Sequence, residues 1–301
     1  MMRYDSSGKY DAGGKMKKEI GGVWMFLQQS FFESEHGDVK LFEGKNVFSQ
    51  VKLNVYSFYQ DGILIDCGAH SMKKAFINFF DRLSIDRVVI THAHEDHDGC
   101  AKYLSERGIP VYLHPMSIEK SRKRADYLLY RKFFWGIRPP YHAIPHEETF
   151  QSRKYRWRII ETPGHAVDHV AFLNESTGQL FSGDLFVTPR TKLIMRTENI
   201  PQIIQSIEKL LRLDFGEMFC SHAGYIKDGK QALRNKLDYL YELTDKVRSL
   251  AREGCSIEEI QRQLFPRKYQ ISVVSRGEWD SKHIITSILS GSHLVNSSAK
   301  Q

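Results

Sequence analysis

One short segment concentrates side chains that bind divalent metals. The sequence THAHEDHDG at positions 91–99 holds three histidines and three carboxylates. Imidazole nitrogens and carboxylate oxygens are common ligands of Zn²⁺ and related ions. His92 and His94 are two residues apart in an extended loop, so they can face one ion, whereas Asp96 and His97 lie at the turn into a helix and can face a second. The spacing predicts two adjacent metal ions.

Three further candidate ligands stand in separate short motifs, each after a predicted strand. Loops at the carboxyl ends of strands are where α/β folds gather ligands, and glycines there let the backbone approach closely. Singly, each motif is equally typical of an ordinary turn; together with segment 91–99 they predict one shared site. The candidates are His165 in TPGH, Asp184 in SGDLF and His222 in CSHAG.

The elements that must position these motifs follow from hydrophobic periodicity. Alternation over residues 51–59, a turn at Asp61-Gly62 and a returning apolar run predict a hairpin. The order strand, helix, strand then recurs and predicts an α/β architecture with two sheet halves. The predicted strands are residues 51–59, 63–65, 88–90, 111–113, 157–160, 170–173, 180–182 and 218–220, and the predicted helices are 75–83, 100–106 and 201–213.

The two ends of the chain differ from this middle part. Residues 1–15 are polar and rich in Gly and Ser, which predicts a flexible extension, and residues 16–229 form the predicted catalytic domain. Residues 230–301 predict a helical segment, with helices over 233–251 and 280–289. A third helix is expected to begin at Ser256, where S-I-E-E forms a capping box.

The four motifs in this order resemble the ligand pattern of the metallo-β-lactamase superfamily. T-H-x-H-x-D-H, P-G-H, S-G-D and S-H-A-G are all present, and the resemblance covers about residues 20 to 230. It implies an αβ/βα sandwich of two mixed sheets flanked by helices, with a binuclear metal centre at one edge. It also implies that His92, His94 and His165 bind the first ion, that Asp96, His97 and His222 bind the second, and that Asp184 bridges both.

Further roles follow from the same resemblance. Asp66, at the end of strand 63–65, matches a buried aspartate that orients a ligand or its loop. Asp168 and His169 resemble the P-G-H-x-x-D-H element of hydrolase branches, where the pair lies beside the metals; a packed structural histidine is an equal alternative. Tyr225, three residues after His222, is predicted to reach the substrate oxygen as an acid or hydrogen-bond donor. Asp96, Asp184 and Tyr225 are the predicted catalytic residues.

The implied chemistry is hydrolysis. Two divalent cations about 3.5–4 Å apart lower the pKa of a bridging water, so a metal-bridging hydroxide serves as nucleophile and no serine or cysteine is needed. The resemblance favours glyoxalase II-like and lactonase-like branches, which act on an ester, thioester or lactone. A phosphodiesterase or ribonuclease branch is the main alternative, followed by a mono-iron persulfide dioxygenase and a metal-bound regulatory pseudoenzyme. A ligand set of nitrogen and oxygen atoms does not single out one metal; zinc is the first expectation, with manganese or iron as alternatives.

Composition sets the remaining limits. Of 301 residues, 41% are hydrophobic and 26% charged, which is typical of a soluble globular protein. We find no apolar run long enough to cross a membrane, so no membrane association is expected. The four cysteines form no C-x-x-C pair, which favours a reducing cytoplasm over a disulfide framework.

The balance of charge bears on the substrate. Lys and Arg number 43 against 36 Asp and Glu, a net charge of +7 that modestly favours anionic partners. Basic and aromatic residues interleave in segment 118–142, which predicts either a lid over a small, anionic substrate or a phosphate track for nucleic acid. We favour the lid, because the segment is short and no separate nucleic-acid-binding domain is evident. No oligomeric state is predicted.

Overall fold

The computed structural model describes residues 14–20 and 23–290, with side chains from residue 27 onward. Nearly all of the predicted flexible extension, residues 1–15, lies outside this range; Gly14 and Lys15 already belong to the first strand. None of the helices within the described part is long and apolar enough to cross a membrane. The four cysteines are free thiols, and three of them are buried.

Two mixed sheets form the centre of the protein. The first runs antiparallel through its first five strands and parallel through the rest. Its strands, in spatial order, are β1 (Gly14–Ile20), β2 (Val23–His36), β3 (Val39–Phe48), β4 (Val51–Gln60), β5 (Ile63–Ile65), β6 (Arg87–Val89), β7 (Val111–Leu113) and β8 (Ile144–Pro145).

The second sheet has six strands, in the spatial order β15-β14-β12-β11-β10-β9, and a two-residue ladder joins β13 to β16. The strands are β9 (Thr149–Gln151), β10 (Arg156–Glu161), β11 (Val170–Asn174), β12 (Gln179–Gly183), β13 (Ile194–Met195), β14 (Met218–Cys220), β15 (Gly224–Ile226) and β16 (Trp279–Asp280). The helices are α1 (Lys73–Phe80), α2 (Ala101–Glu106), α3 (Ile118–Ser121), α4 (Leu129–Trp135), α5 (Ile200–Leu211), α6 (Gly229–Arg252), α7 (Ile257–Leu264), α8 (Gln270–Val274) and α9 (Lys282–Ser290).

Three hydrophobic clusters hold four layers together. Phe58 of the first sheet packs with Trp157, Phe181 and Phe219 of the second, so the two sheets face each other. The outer face of the first sheet is covered by α1, α2 and α4, and that of the second by α5, α6, α7 and α9. This arrangement confirms the predicted αβ/βα sandwich with a helical C-terminal segment.

Strands β2 and β3 were not predicted from the sequence. Leu41 of β3 packs between the two sheets, whereas its neighbour Phe42 packs against α1. A strand covered on both faces loses the alternation of apolar and polar residues by which a strand is recognised. The first sheet is therefore larger than the periodicity indicates.

Helix α7 begins where the sequence predicts, α6 begins four residues before its predicted start and α9 two residues after, and the short α8 has no counterpart in the prediction. Ser256 and Glu259 form the reciprocal capping box at the start of α7. One feature differs from the prediction of helices alone: β16 pairs with β13, which lies in the loop after β12. A two-residue pairing has no periodicity, so the sequence cannot reveal it. The pairing brings the C-terminal segment to the edge of the sheets where the predicted ligands lie.

Candidate metal centre

The segment 91–99 leaves the carboxyl end of β6 and folds into a compact turn before α2. The backbone N–H groups of His97 and Asp98 both donate to the carbonyl of His94, at 3.0 Å. This turn places the ring centroids of His94 and His97 at 4.4 Å and 4.2 Å from that of His92. The predicted clustering of histidines at a strand end is thus present.

Three imidazole nitrogens converge on the first predicted position. His92 Nε2 lies 2.8 Å from His94 Nδ1, which lies 3.1 Å from His165 Nε2. All the ligand atoms of this group lie within 4.8 Å of one another. Three lone pairs that face one another cannot all be satisfied by N–H···N hydrogen bonds, whereas one cation satisfies all three.

A second group lies beside the first and contains Asp96, His97 and His222. The Asp96 carboxylate lies 3.6 Å from His222 Nε2 and 3.8 Å from His97 Nε2. Asp96, His97 and His222 come from two separate motifs, so the fold and not the local sequence brings them together.

Asp184 lies between the two groups. Its Oδ2 atom is 2.9 Å from His222 Nε2 and 3.4 Å from His97 Nε2. The same oxygen is 3.3 Å from His165 Nε2 and 3.9 Å from His92 Nε2. One carboxylate oxygen therefore reaches nitrogens of both groups, which is the position of a bridging ligand.

Two orphaned atoms test whether these residues fit a pair of metal ions. His97 Nε2 and Asp184 Oδ1 are buried and form no hydrogen bond. A buried polar atom without a hydrogen-bond partner destabilises the folded state, so each of these two atoms requires an explanation. Divalent cations within the two groups would give both atoms a partner, and the donor set of imidazoles and carboxylates suits them. The residues fit the ions.

The electrostatics divide the histidines into two kinds. Burial, and then the neighbouring histidines, lower the pKa of His92 and His94 well below the usual value, which leaves the neutral rings that bind cations. Burial also disfavours charge on His97 and His222, but the carboxylate of Asp184 and its acidic neighbours outweigh burial. They raise both pKa values, that of His222 to about 9. A metal that binds there must displace protons.

Asp66 holds the turn that carries the first motif. It is fully buried, and its Oδ2 atom lies 2.7 Å from His97 Nδ1 and accepts a hydrogen bond from Ser221 at 3.0 Å. Its Oδ1 atom accepts the backbone N–H of Thr91 at 2.8 Å. Asp66 thus contacts both His97 and the loop that begins at Thr91, as a residue that orients them would, and it is not among the residues that line the cavity.

His169 and Asp168 accept hydrogen bonds from the backbone of two loops that carry predicted ligands. His169 Nε2 accepts the backbone N–H of Asp184 at 3.0 Å, and burial lowers the pKa of its ring to about 4, so the ring is neutral. A Cβ at Gly183, where φ is +51°, would lie 2.5 Å from His169 Nε2, so this close approach requires glycine. The Asp168 carboxylate accepts the backbone N–H of Ala93 at 2.9 Å.

Two supporting contacts have no counterpart in the sequence analysis. Glu198 Oε2 lies 3.0 Å from His165 Nδ1, and Glu198 Oε1 accepts the backbone N–H of Met195. His222 Nδ1 hydrogen-bonds the backbone carbonyl of Asn54, whose side-chain amide in turn donates to the carbonyl of His222 at 2.8 Å. Neither contact belongs to a motif, because Glu198 and Asn54 lie 33 and 168 residues from their partners.

Tyr225 is not brought to this site, and its predicted contact with substrate is wrong. Its hydroxyl donates to Glu217 at 2.7 Å, and its ring stacks on His36 at 3.8 Å between centroids. Tyr225 lies on β15, which pairs with β14 and directs this ring to the rim of the inter-sheet core, while His222 remains in the turn between them. Spacing from a ligand along the chain did not reveal this change of direction.

Segment 118–142, predicted to be either a lid or a phosphate track, is anchored to the core of the first sheet, and its helix α4 lines the cavity described below. Phe133 and Phe134 are buried in the core of the first sheet, and Trp135 is buried where that core meets the cavity. Arg138 is buried against Asp98 at 3.1 Å, and Arg131 forms a two-point ion pair with Glu95. Its arginines therefore anchor the segment to the turn of residues 91–99.

A cavity of about 520 Å³ opens above the two ligand groups. Its floor contains His94, Asp96, His165, Asp184 and His222. Its wall comes from the start of β4, from α4, from residues 185–195 and from the C-terminal residues 267–271 and 279. Helix α4 is the part of segment 118–142, the predicted lid, that contributes to this wall.

The wall contains a buried lysine. Lys236 of α6 is 4% exposed and donates to the carbonyls of Phe186 and Thr188, on either side of Val187. Val187 has a φ of +48°, a strained value for a β-branched residue. Burial lowers the pKa of Lys236 to about 8. Lys236 thus holds a strained turn that directs Val187 into the cavity.

The fold, with its ligand groups at one edge of two facing sheets, defines a class of protein that the comparisons identify. The family model described as the metallo-beta-lactamase superfamily matches residues 58–222. The chain therefore belongs to the metallo-β-lactamase superfamily, as its motifs predict.

Individual relatives are more distant. A beta-lactamase-like protein 2 homolog of Drosophila melanogaster is 28% identical over 172 residues, which are 55% of this chain and 56% of that protein. A thioesterase of Emericella nidulans is 35% identical over 103 residues, 34% of this chain and 24% of that one. The chain thus spans about half the length of the first of these curated relatives and less of the second.

Solved structures show the same fold. A metallo-beta-lactamase family protein of Thermus thermophilus superposes with a TM-score of 0.61 at 18% identity. The match covers 84% of this chain and 91% of that one.

Proposed function

We propose that the protein is a metal-dependent hydrolase that acts on an ester, thioester or lactone. It would use two divalent ions, for which zinc is our first choice. The observation that carries the proposal is the position of Asp184 Oδ2, which lies 2.9–3.9 Å from nitrogens of both ligand groups. His92, His94 and His165 would hold one ion, Asp96, His97 and His222 the other, and Asp184 both.

Two such ions, held by these seven residues, would supply Lewis acidity and an activated water. The chain itself supplies the orientation of the ligands: Asp66 directs His97, Glu198 directs His165, and His169 holds the backbone of Asp184. Ligands fixed in this way keep their geometry when substrate binds.

The cavity offers no cysteine or serine nucleophile among the described residues that line it. Cys67, Cys100 and Cys220 are buried, and burial raises the pKa of all three thiols, so they remain neutral. Water is therefore the nucleophile that we propose.

The choice of a carboxyl ester over a phosphodiester is supported by helix α4, the part of segment 118–142 that lines the cavity. Both of its basic residues are paired, Arg131 with Glu95 and Lys132 with Asp126, so α4 presents no unpaired cation to a phosphate chain. The thioesterase of Emericella nidulans supports a thioester in particular, over the third of this chain that it matches.

The test combines metal content with a substrate panel. Purified protein is analysed by mass spectrometry for metals, and then assayed on p-nitrophenyl esters, thioesters, lactones, bis(p-nitrophenyl) phosphate and a short RNA at two salt concentrations. We expect about two ions per chain. We also expect turnover of carboxyl substrates that depends weakly on salt, and loss of turnover after chelation.

Three outcomes would overturn this proposal. Cleavage of RNA that weakens steeply as salt rises would indicate a nuclease, because each neutralised phosphate releases counterions. A stable content of one iron would contradict the binuclear centre and favour the dioxygenase branch. Metal-replete protein without turnover of any substrate would favour a regulatory role.

A further inference from the structure

Five basic side chains line the cavity, and two of them are already engaged. Arg131 binds Glu95 at two points and approaches Glu278, and Lys236 donates to two backbone carbonyls. Their charges are satisfied by the protein itself. The three others, Lys52, Arg267 and Lys268, are the subject of this inference.

Lys52, Arg267 and Lys268 are exposed while they line the cavity, which places them at its mouth. None of them forms an ion pair with a carboxylate in the part of the chain that the structure describes. The Arg267 guanidinium lies over the ring of Tyr269, at 5.4 Å from its centroid, and this contact leaves its N–H groups available. Three cations without a carboxylate at the opening of a cleft attract anions.

The fold brings Lys52 to the same opening as Arg267 and Lys268, although Lys52 lies more than 200 positions before them in the sequence. Gln270 Oε1 accepts the backbone N–H of Gln50 at 2.9 Å, and Gln270 Nε2 donates to Ser49 Oγ at 3.2 Å. Ile271 packs into the core of the first sheet. The segment that carries Arg267 and Lys268 is thus docked on the turn between β3 and β4, two residues before Lys52.

The rest of the lining includes several apolar side chains. Leu53, Leu193, Ile194, Ile271 and Trp279 all line the cavity. A ligand that spans the cavity therefore meets metal-binding residues at the floor, apolar side chains along the wall and cations at the mouth.

We propose that Lys52, Arg267 and Lys268 form a binding site for an anionic group on the substrate. The substrate class is then a carboxylic ester or thioester whose apolar part ends in a carboxylate or a phosphate. This inference rests on the proposed hydrolase function and adds the chemistry of the distal end of the substrate.

The experiment uses three thioesters with the same scissile bond and chain length. One ends in a carboxylate, one in a phosphate monoester and one in a neutral amide. For the metal-replete protein we expect kcat/KM to be at least tenfold higher for one or both anionic substrates than for the amide. The difference should lie mainly in KM, because the charge binds far from the scissile bond. The carboxylate and phosphate arms identify which anion is preferred.

The variant R267E/K268E reverses the charge at the mouth without touching a ligand loop. We expect it to lose the tenfold preference and to hydrolyse the neutral thioester within twofold of the wild type. The matched control is K123E/R124E, which makes the same change of net charge at exposed residues that do not line the cavity. The control should keep the preference.

A binding measurement provides a second readout. Titration calorimetry with the two anionic acid products should show at least tenfold weaker binding to R267E/K268E than to the wild type or the control. Equal turnover of charged and neutral thioesters by the wild type would overturn this inference and leave the proposed function intact. An equal loss in both double variants would overturn it as well, since the effect would then come from net charge. If the metal-replete protein hydrolyses none of the three thioesters, this inference fails; the proposed function fails with it only if the esters and lactones of the panel are not hydrolysed either.

Discussion

The residues of the cavity floor and those of the cavity wall come from different kinds of segments of the chain. Every predicted ligand comes from a short loop at the end of a strand, and several are contacted from outside the cavity by another residue, such as Asp66 behind His97 and Glu198 beside His165. The wall comes from residues far apart along the chain, of which several are exposed, including Lys52 and Arg267. A rigid floor suits a reaction that tolerates little movement, whereas the wall can change without disturbing the ligands.

One ion pair joins the two regions. Glu95 of the metal-binding turn is bound by Arg131 of α4, and Glu278, just before β16, accepts a 2.5 Å hydrogen bond from Tyr130 beside it. A change at this link therefore tests whether floor and wall are coupled, while changes within each region test whether they act separately.

The largest effect is expected at the floor, from Asp184→Ala. This change removes the oxygen that reaches both ligand groups, so kcat/KM should fall by about 10³-fold or more and metal content should drop below two per chain. Circular dichroism should stay native, because the site lies at the edge of the sheets. Activity within a few fold of the wild type would show that the ligand assignment is wrong.

At the link, Arg131→Met should destabilise the protein by about 3 kcal/mol, because it leaves the buried Glu95 carboxylate without its partner. Urea denaturation measures the change. The double variant Glu95→Gln/Arg131→Met should recover most of the loss, since no buried charge remains. If the single variant is as stable as the wild type, the link contributes little, and floor and wall are independent.

Substitutions of the residues that contact the ligands from outside the cavity should have intermediate effects. Asp66→Asn and Glu198→Gln keep the shape of each side chain but weaken its hold on His97 and His165, which should reduce metal affinity about 10–100-fold. Titration with a competing chelator measures this affinity. Asp126→Asn, at an exposed residue paired with Lys132, is the control and should not change it. Equal affinity in all three variants would contradict the role of Asp66 and Glu198.

The smallest effect is expected in the wall, at Lys236. Its pKa is lowered to about 8 in the folded protein, from 10.5, so between these values the unfolded chain binds a proton that the folded protein does not. Stability should therefore rise with pH across this window in the wild type relative to Lys236→Met, by about 1 kcal/mol per pH unit. Unfolding at pH 7.5, 8.5 and 9.5 measures the difference. A difference that does not vary with pH would mean that the lysine is not desolvated.

The ligand motifs and most elements could be read from the sequence because their signals are local. The geometry of these motifs depends on a few neighbouring residues, as in two histidines two positions apart, a glycine beside an aspartate, or a capping box. Strands β5 and β7 and helix α5 appear where periodicity places them, within one or two residues. The seven predicted ligands converge because the carboxyl ends of their strands meet at one edge.

Tertiary structure alone decided the direction of Tyr225, the support that Glu198 gives to His165, and the wall of the cavity. Tyr225 follows His222 closely, yet strand pairing directs its hydroxyl to Glu217. Glu198 belongs to no motif, and the docking of Gln270 on Ser49 crosses 221 positions. Such contacts depend on which surfaces meet when the sheets and helices pack, and that information is spread over the whole chain. The sequence by itself determined which residues form the floor. Packing determined the wall of the cavity, and therefore which substrates can reach the floor.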